Sequence, residues 1–428
     1  MKLSSLVAAL SAIATMASAE TVHVRAGRLV DPEAGRVLAD QLVTVVDGRV
    51  TRVAPYAPPA GGKVVDWSAY TVLPGLIDLH THVADGFAGT EDPAEALKHS
   101  AAESVLKGAE VARLTLHAGF TSVRDVGVYR GLNDVALRNA IDAGWVEGPR
   151  MKVAGGYITV PGGGGAVTGL PIDVAIPPDF RLGEVRSPEE AREKVRFLFQ
   201  QGVDFVKLIG TGAVLAMGSE PGQLELTEAE MKAACDEAKL RGGYCAIHAH
   251  GAEGIKAAIR AGARTIEHAS LIDDEGIALA KQRGVFLDMD IYNGDWIDQE
   301  GRKAGWPAEY LRKNLETTEA QREGFRKAVK AGARVSYGTD AGVYPHGRNA
   351  RQFAYMVRYG MTPMQAIQSA TTVAAEVMGE GKNVGALSPG RFGDMVAVKG
   401  DPLADIRVLE DVAGVIKGGV VVKAPPAP

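Results

Sequence analysis

Residues 21–72 alternate apolar and polar positions between turn residues, as in Leu42-Val43-Thr44-Val45-Val46 before Asp47-Gly48. A period of two with such punctuation predicts short antiparallel strands. From about Leu73 the rhythm changes to short apolar runs that end in polar residues, separated by helical patterns, which is the signature of repeated β-α units around a parallel sheet. Eight candidate strands fall at residues 76–82, 121–126, 151–155, 204–209, 243–248, 264–268, 285–290 and 333–340. Ser187-Pro188-Glu189-Glu190 and Thr227-Glu228-Ala229-Glu230 predict helix starts with capping boxes, Pro188 at the permissive first position and a helix over 227–241 after the second. Past a helix expected over 363–378, the strand pattern returns in Asp394-Met395-Val396-Ala397-Val398 and over 414–422. Eight units in this span suit a (β/α)8 TIM barrel better than a doubly wound sheet. The expected fold is therefore α/β: a barrel over 73–385, with a small β-sandwich domain built from both chain ends, 20–72 and 386–428.

Composition supports a large core and narrows the partners. With 428 residues, 46% hydrophobic, the chain is neither disordered nor fibrous. A net charge of −5 leaves no basic field for a nucleic-acid backbone. Lys2, the apolar and small residues from Leu3 to Met16, and Ala17-Ser18-Ala19 read as an export signal over 1–19, with the mature chain beginning near Glu20. A buried N-terminal helix is the alternative, disfavoured by the missing amphipathic period. No later run reaches the roughly 20 apolar residues of a membrane span, so no membrane partner is expected and the protein should be periplasmic or secreted. Cys235 and Cys245 are the two cysteines. Their spacing does not support a bridge, and buried free thiols are the expectation.

A barrel enzyme carries its working residues at the C-terminal ends of its strands. His80 and His82, at i and i+2 on strand one, project from the same face and can grip one metal ion. Lys207 lies in Phe205-Val206-Lys207-Leu208 on strand four, His248 and His250 end strand five, His268 ends strand six and Asp340 ends strand eight. Five of the nine histidines thus sit at predicted strand ends, which random scatter rarely produces.

With the strand-one His-x-His, the strand-four lysine, the two later histidines and the Asp of Gly338-Thr339-Asp340-Ala341-Gly342, the chain resembles the amidohydrolase superfamily. The resemblance extends from Val72-Leu73-Pro74-Gly75-Leu76-Ile77-Asp78 to Gly390-Arg391-Phe392-Gly393-Asp394-Met395-Val396. Val123-Arg124-Asp125-Val126-Gly127, Ile247-His248-Ala249-His250-Gly251 and Ile266-Glu267-His268 are most similar to the imidazolonepropionase-like branch, with its Xaa-Pro dipeptidases, carboxypeptidases and ochratoxin-type amidases. That resemblance implies a Lys207 carboxylated by carbon dioxide and bridging two divalent metals, with zinc the expected ion. It places His80, His82, Asp340 and the carbamate around one metal, and the carbamate, His248 and His268 around the other. Asp340 would shuttle the proton to the leaving nitrogen, and His250 would face the substrate or the oxyanion. The implied activity releases a C-terminal amino acid from a dipeptide or N-acyl amino acid, and barrel helices in the family often support homo-oligomers.

Alternatives remain at single residues. Spacing does not choose between His248 and His250 as ligand. Lys207 could instead pair with a carboxylate, and Asp340 could cap the turn before Gly342. Arg124 and Asp125 read equally as an ion pair and as substrate contacts. Tyr157 and the run Gly162 to Gly165 follow strand three, where a lid or a plain linker would fit; no Gly-Lys-Ser/Thr makes the run a phosphate loop. His346 and Arg348 follow strand eight, and Arg348 is a candidate clamp for a substrate carboxylate or a solvent-facing residue. His23, His99 and His117 read as packing or surface residues. A cyclic-amide or lactone hydrolase is the enzymatic alternative, a one-metal deaminase a weaker one, and a non-catalytic binding barrel the alternative of another class.

Overall fold

The computed structural model describes residues 20–85, 92 and 94–426; the export-signal segment lies outside the described residues. The first four strands are β1 (Thr21–Asp31), β2 (Arg36–Val46), β3 (Arg49–Pro55) and β4 (Lys63–Pro74). The next eight are β5 (Leu76–Thr81), β6 (Phe120–Asp125), β7 (Arg150–Val153), β8 (Val206–Ile209), β9 (Cys245–Ala249), β10 (Thr265–His268), β11 (Phe286–Asp288) and β12 (Val335–Ser336). The last three are β13 (Met395–Val398), β14 (Val412–Lys417) and β15 (Val420–Lys423).

Both chain ends join in one seven-stranded sheet, in the order β15-β14-β13-β4-β1-β2-β3. Alternate residues of its strands, among them Val22, Val24, Val43, Val45, Trp67, Met395 and Ile416, close on one another as a separate apolar core. Gly393 N donates to Gly48 O at 2.8 Å, so the sheet folds back and its two halves face each other as a sandwich. The expectation of purely antiparallel strands needs one correction, because β1 and β4 pair in parallel. The chain reaches β4 from β3 by crossing over, not by a hairpin. The run expected over 414–422 is likewise two strands, turned at Gly418-Gly419.

β5 to β12 correspond to the eight expected barrel strands and pair in parallel within two ladders, β5-β6-β7 and β8 through β12. Backbone hydrogen bonds close the ring between the ladders. Asp204 N donates to Val153 O at 2.9 Å on one side, and Leu79 N donates to Tyr337 O at 2.9 Å and Asp340 N to His80 O at 2.8 Å on the other. The closure matters for function, since it draws strand eight's Asp340 onto strand one's histidines.

Local signals hold with two adjustments. Thr227 and Glu230 complete a reciprocal capping box. Ser187 caps Glu190 N, but the Glu190 carboxylate accepts from Arg186 N instead of returning to Ser187. The helix expected over 363–378 breaks into Pro363–Ser369 and Thr372–Val377. The break frees Ala370 O to accept from Ile77 N at 2.8 Å, which ties the helix pair to β5.

The cysteines are a correction: Cys235 and Cys245 are disulfide-bonded, with Cα atoms 5.3 Å apart. Cys235 lies on the inner face of the helix Glu228–Leu240, and a tight return through Gly242-Gly243 brings β9 back beneath it. Sequence spacing does not show that approach; packing of helix on strand creates it. The bridge closes a short loop next to the strand that carries His248 and His250. Cys235→Ser is expected to cost about 2–3 kcal/mol of stability. Thermal unfolding of wild type with and without reductant checks this, and equal midpoints would show that the bridge contributes nothing.

Among the described residues no helix is long and apolar enough to cross a membrane.

Candidate metal centre

The strand-end residues converge at one end of the barrel. His80, Lys207, His248, His250, His268 and Asp340 are all buried, and with His82 they line a single cavity of about 150 Å³. His80, His268 and Asp340 bring one ligand atom each within 4.8 Å of one another, and so do His248, His250 and His268. The ring centroids of His80 and His268 are 4.8 Å apart, and those of His248 and His268 are 4.5 Å apart. So many donors, taken out of water and packed at these separations, match the requirement of metal binding far better than that of a polar core.

Each ring is held by a neighbour that decides which nitrogen is left free. His80 Nδ1 is 2.8 Å from Glu267 Oε2, His82 Nδ1 is 3.1 Å from Gly127 O, and His268 Nδ1 is 2.9 Å from Asp290 Oδ1. A carboxylate or carbonyl oxygen only accepts, so these Nδ1 atoms carry the proton and Nε2 keeps the lone pair that can bind a metal. His248 is turned the other way, with Nε2 3.3 Å from Gly212 O, leaving Nδ1 as its donor atom. His250 Nδ1 lies 2.8 Å from Ser270 Oγ. Burial holds both His248 and His250 well below the ordinary imidazole range, so they are neutral.

Asp340 joins the histidine pair through Oδ1, 3.2 Å from His82 Nε2 and 3.5 Å from His80 Nε2. Its other oxygen accepts from Asn293 Nδ2 at 2.9 Å. Asp340 and His268 both take left-handed backbone, with φ of 56° and 68°, a conformation few side chains adopt without support. Gly338 and Gly342 explain the spacing of the motif around Asp340. A Cβ at 338 would lie 1.7 Å from Asp288 Oδ1, and one at 342 would lie 2.8 Å from His82 Cβ.

Lys207 projects into the same cavity from β8. Burial lowers its pKa to about 8, with Arg124 acting in the same direction and Glu267 and Asp340 opposing. Arg124 and Asp125 do not pair, and neither lines the cavity. Successive strand residues face opposite sides. Arg124 turns into the barrel and donates to Glu267 Oε1 at 2.7 Å, Leu79 O at 2.6 Å and Thr265 Oγ1 at 3.0 Å. Asp125 turns outward and accepts from Val83 N at 2.6 Å and Ala84 N at 3.2 Å, fixing the turn after His82.

Tyr157 reaches the cavity wall, its hydroxyl donating to Gly127 O at 3.1 Å. The glycine run is tied down by Gly164 N donating to Glu225 Oε2 at 2.8 Å, and Gly164 and Gly165 form part of the wall. Arg348 is not brought to the ligand cluster, and His346 meets it only at the His82 backbone. His346 lines an adjoining cavity with Nδ1 3.1 Å from Thr115 Oγ1, and Arg348 lies over the Trp296 ring at 5.2 Å. His23 and His117 make local contacts with Thr44 and Glu147, away from the cavity.

Sequence reasoning assigned no role to Glu267, Asp290, Asn293, Gln321 or Asp85. Gln321 Nε2 donates to Asp290 Oδ1 at 2.9 Å and so holds the partner of His268. Glu267 and Asp290 did carry a signal: Glu267 lies beside His268 in the strand-six run, and Asp290 ends the expected strand-seven run over 285–290.

The Amidohydrolase family model matches residues 71–422. This chain belongs to the amidohydrolase family. Among curated relatives, the amidohydrolase is 29% identical over 382 residues to an ochratoxinase of Aspergillus niger, covering 83% of this chain and 76% of that enzyme. Among solved structures, a Xaa-Pro dipeptidase with methionine bound in its active site superposes with a TM-score of 0.88 at 33% identity, covering 94% of this chain and all of that one. A prolidase complexed with N-methylphosphonate-L-proline superposes with a TM-score of 0.86 at 29% identity, covering 94% of this chain and all of that one. These neighbours place the amidohydrolase in the dipeptidase, prolidase and ochratoxinase-like branch. It is a metal-dependent hydrolase of amide bonds with a buried His/Asp site.

Proposed function

We propose that this enzyme uses two divalent metal ions, zinc the expected ones, to release a C-terminal amino acid from dipeptides or N-acyl amino acids. The observation that carries the reading is the oriented donor set: Nε2 of His80, His82 and His268, Nδ1 of His248, Asp340, and Lys207 in one cavity. The set fits a metal pair, because each of the four rings has its other nitrogen engaged with a protein acceptor. In this reading His80, His82 and Asp340 hold one ion, His248 and His268 the other, and a carboxylated Lys207 serves both. Divalent metal in such a site lowers the pKa of water and polarises a carbonyl.

The protein's own groups supply the rest. Asp340 would take a proton from the attacking water as the water oxygen bonds to the carbonyl carbon, and deliver that proton to the amide nitrogen as the C–N bond breaks. Neutral His250, its Nδ1 engaged with Ser270, is aimed to hydrogen-bond the scissile carbonyl oxygen. The Tyr157 hydroxyl, oriented by Gly127 O, offers a lone pair to the substrate. The relatives act as support for the substrate class: one is a Xaa-Pro dipeptidase with methionine bound in its active site, and another is a prolidase complexed with N-methylphosphonate-L-proline.

The test is a screen of dipeptides, N-acyl amino acids, hydantoins and lactones, with metal content measured on the same sample. Turnover of the first two classes and close to two ions per chain are expected. Turnover confined to lactones would overturn the reading.

Export is part of the proposal. A buried disulfide suits an oxidising compartment, as the N-terminal signal pattern does. Sequencing the N-terminus of protein recovered from the periplasm or medium should begin near Glu20, and an intact Met1 there would refute cleavage.

A further inference from the structure

A second cavity adjoins the metal site and is the larger of the two, about 460 Å³ against about 150 Å³. The two share His82, Asp85, Gly342 and Val343, so they meet beside the histidine pair. Val111, Leu114, Trp296, Trp306 and Tyr344 give the second cavity an apolar, largely aromatic wall. Its volume lies within the range of small-molecule sites, roughly 300–1,000 Å³.

Asp85 stands at the junction. Its carboxylate accepts from Tyr129 N at 3.2 and 3.1 Å, and the Tyr157 hydroxyl, which donates to Gly127 O, lies 3.5 Å from it. Among the described residues, no lysine or arginine lies within ion-pair distance of it. The other charged groups lining the second cavity are already satisfied: Lys107 pairs with Glu110 at 2.7 Å and Glu300 with Lys303 at 3.1 Å. Burial raises the Asp85 carboxyl to about 7 with His82 opposing, and a cationic ligand would offset that cost of holding a carboxylate among aromatic walls.

We propose that Asp85 and the second cavity form the subsite for the N-terminal residue of a dipeptide, Asp85 taking its α-ammonium and the aromatic wall its side chain. The inference rests on the amidase reading above and chooses between the two substrate classes that reading leaves. The geometry follows from the substrate's own covalent structure. In a dipeptide the ammonium and the N-terminal side chain leave the same Cα, next to the scissile carbonyl. A subsite for that residue must therefore present an anion and a side-chain pocket together, contiguous with the metal cavity, as Asp85 and the second cavity do. An N-acyl amino acid has no ammonium there and leaves Asp85 without a partner.

The experiment compares kcat/KM for Phe-Met, N-acetyl-Phe-Met and Gly-Met, using metal-loaded full-length enzyme at equal, measured metal content. Wild type should favour Phe-Met over its N-acetyl form by about 10- to 100-fold, the range of a charge-assisted hydrogen bond. Asp85→Asn should bring that ratio close to one, and Asp85→Glu should restore part of it. Trp296→Ala should reduce the preference for Phe-Met over Gly-Met while keeping the preference for a free amine. Equal wild-type rates on the amine and N-acetyl substrates, or an unchanged ratio in Asp85→Asn, would overturn the subsite. A uniform loss on both substrates counts as an unchanged ratio. If Asp85→Asn does not fold, the wild-type ratio decides alone. Hydrolysis of none of the three would instead overturn the broader amidase reading.

Discussion

Lys207→Ala is expected to lower kcat by on the order of 10³-fold or more, and to lower the bound metal with it. The size follows from what the position must do. Loss of a neighbour that merely orients a ligand costs about 10–100-fold, so loss of a ligand shared by two ions, the role proposed for Lys207, should cost more. Lys207 can serve as one only after its amine loses a proton. Burial brings its pKa to about 8, which leaves an appreciable fraction of free amine near neutral pH for reaction with carbon dioxide. Short carboxylic acids with bicarbonate should rescue part of the Ala variant, because a small acid can occupy the space of the missing carbamate. Unchanged turnover and unchanged metal content in Lys207→Ala would show that the lysine is structural.

Arg124→Leu is expected to destabilise the fold by about 3–5 kcal/mol, because it strands a buried carboxylate. Arg124 and Glu267 are both fully buried and joined at 2.7 Å, and Glu267 has its second oxygen on His80 Nδ1. The guanidinium therefore fixes the Glu267 carboxylate in place, and that carboxylate, accepting from His80 Nδ1, leaves Nε2 free. Glu267→Gln separates the two roles. It removes the charge but keeps the shape, and should weaken metal affinity about 10–100-fold with a smaller loss of stability. Competition with a chelator measures the affinity, and denaturant unfolding the stability. Wild-type metal affinity in Glu267→Gln would show that this chain of contacts does not tune the site.

Much of the barrel was legible because its signals are local. An apolar run ending in a polar residue, then an amphipathic helix, repeats eight times, and each strand appears within a few residues of its expected place. The small sheet was less legible. That β1 pairs with β4 in parallel, and that β13 pairs with β4, depends on partners far apart in the chain. The helix expected over 363–378 broke for a similar reason, since the carbonyl freed at Ala370 has its partner on β5. Of the two equal readings of Arg124 and Asp125, the ion pair fails because adjacent strand residues face opposite sides.

Sequence by itself determined the type and order of the metal-capable groups, because closing β-α units into a barrel carries every strand end to one rim. Position along a strand was then enough to nominate His80, His82, Lys207, His248, His250, His268 and Asp340. Tertiary structure alone decided how they are held. His80 and Glu267 are 187 residues apart, and His268 and Asp290 are 22 apart, one on β10 and the other in the loop after β11. Which imidazole nitrogen is free, that Cys235 meets Cys245, and that Asp85 stands between two cavities with no lysine or arginine among the described residues to pair with are properties of packing. Periodicity reports only which face a residue occupies; its partner across the barrel is set when the ring closes.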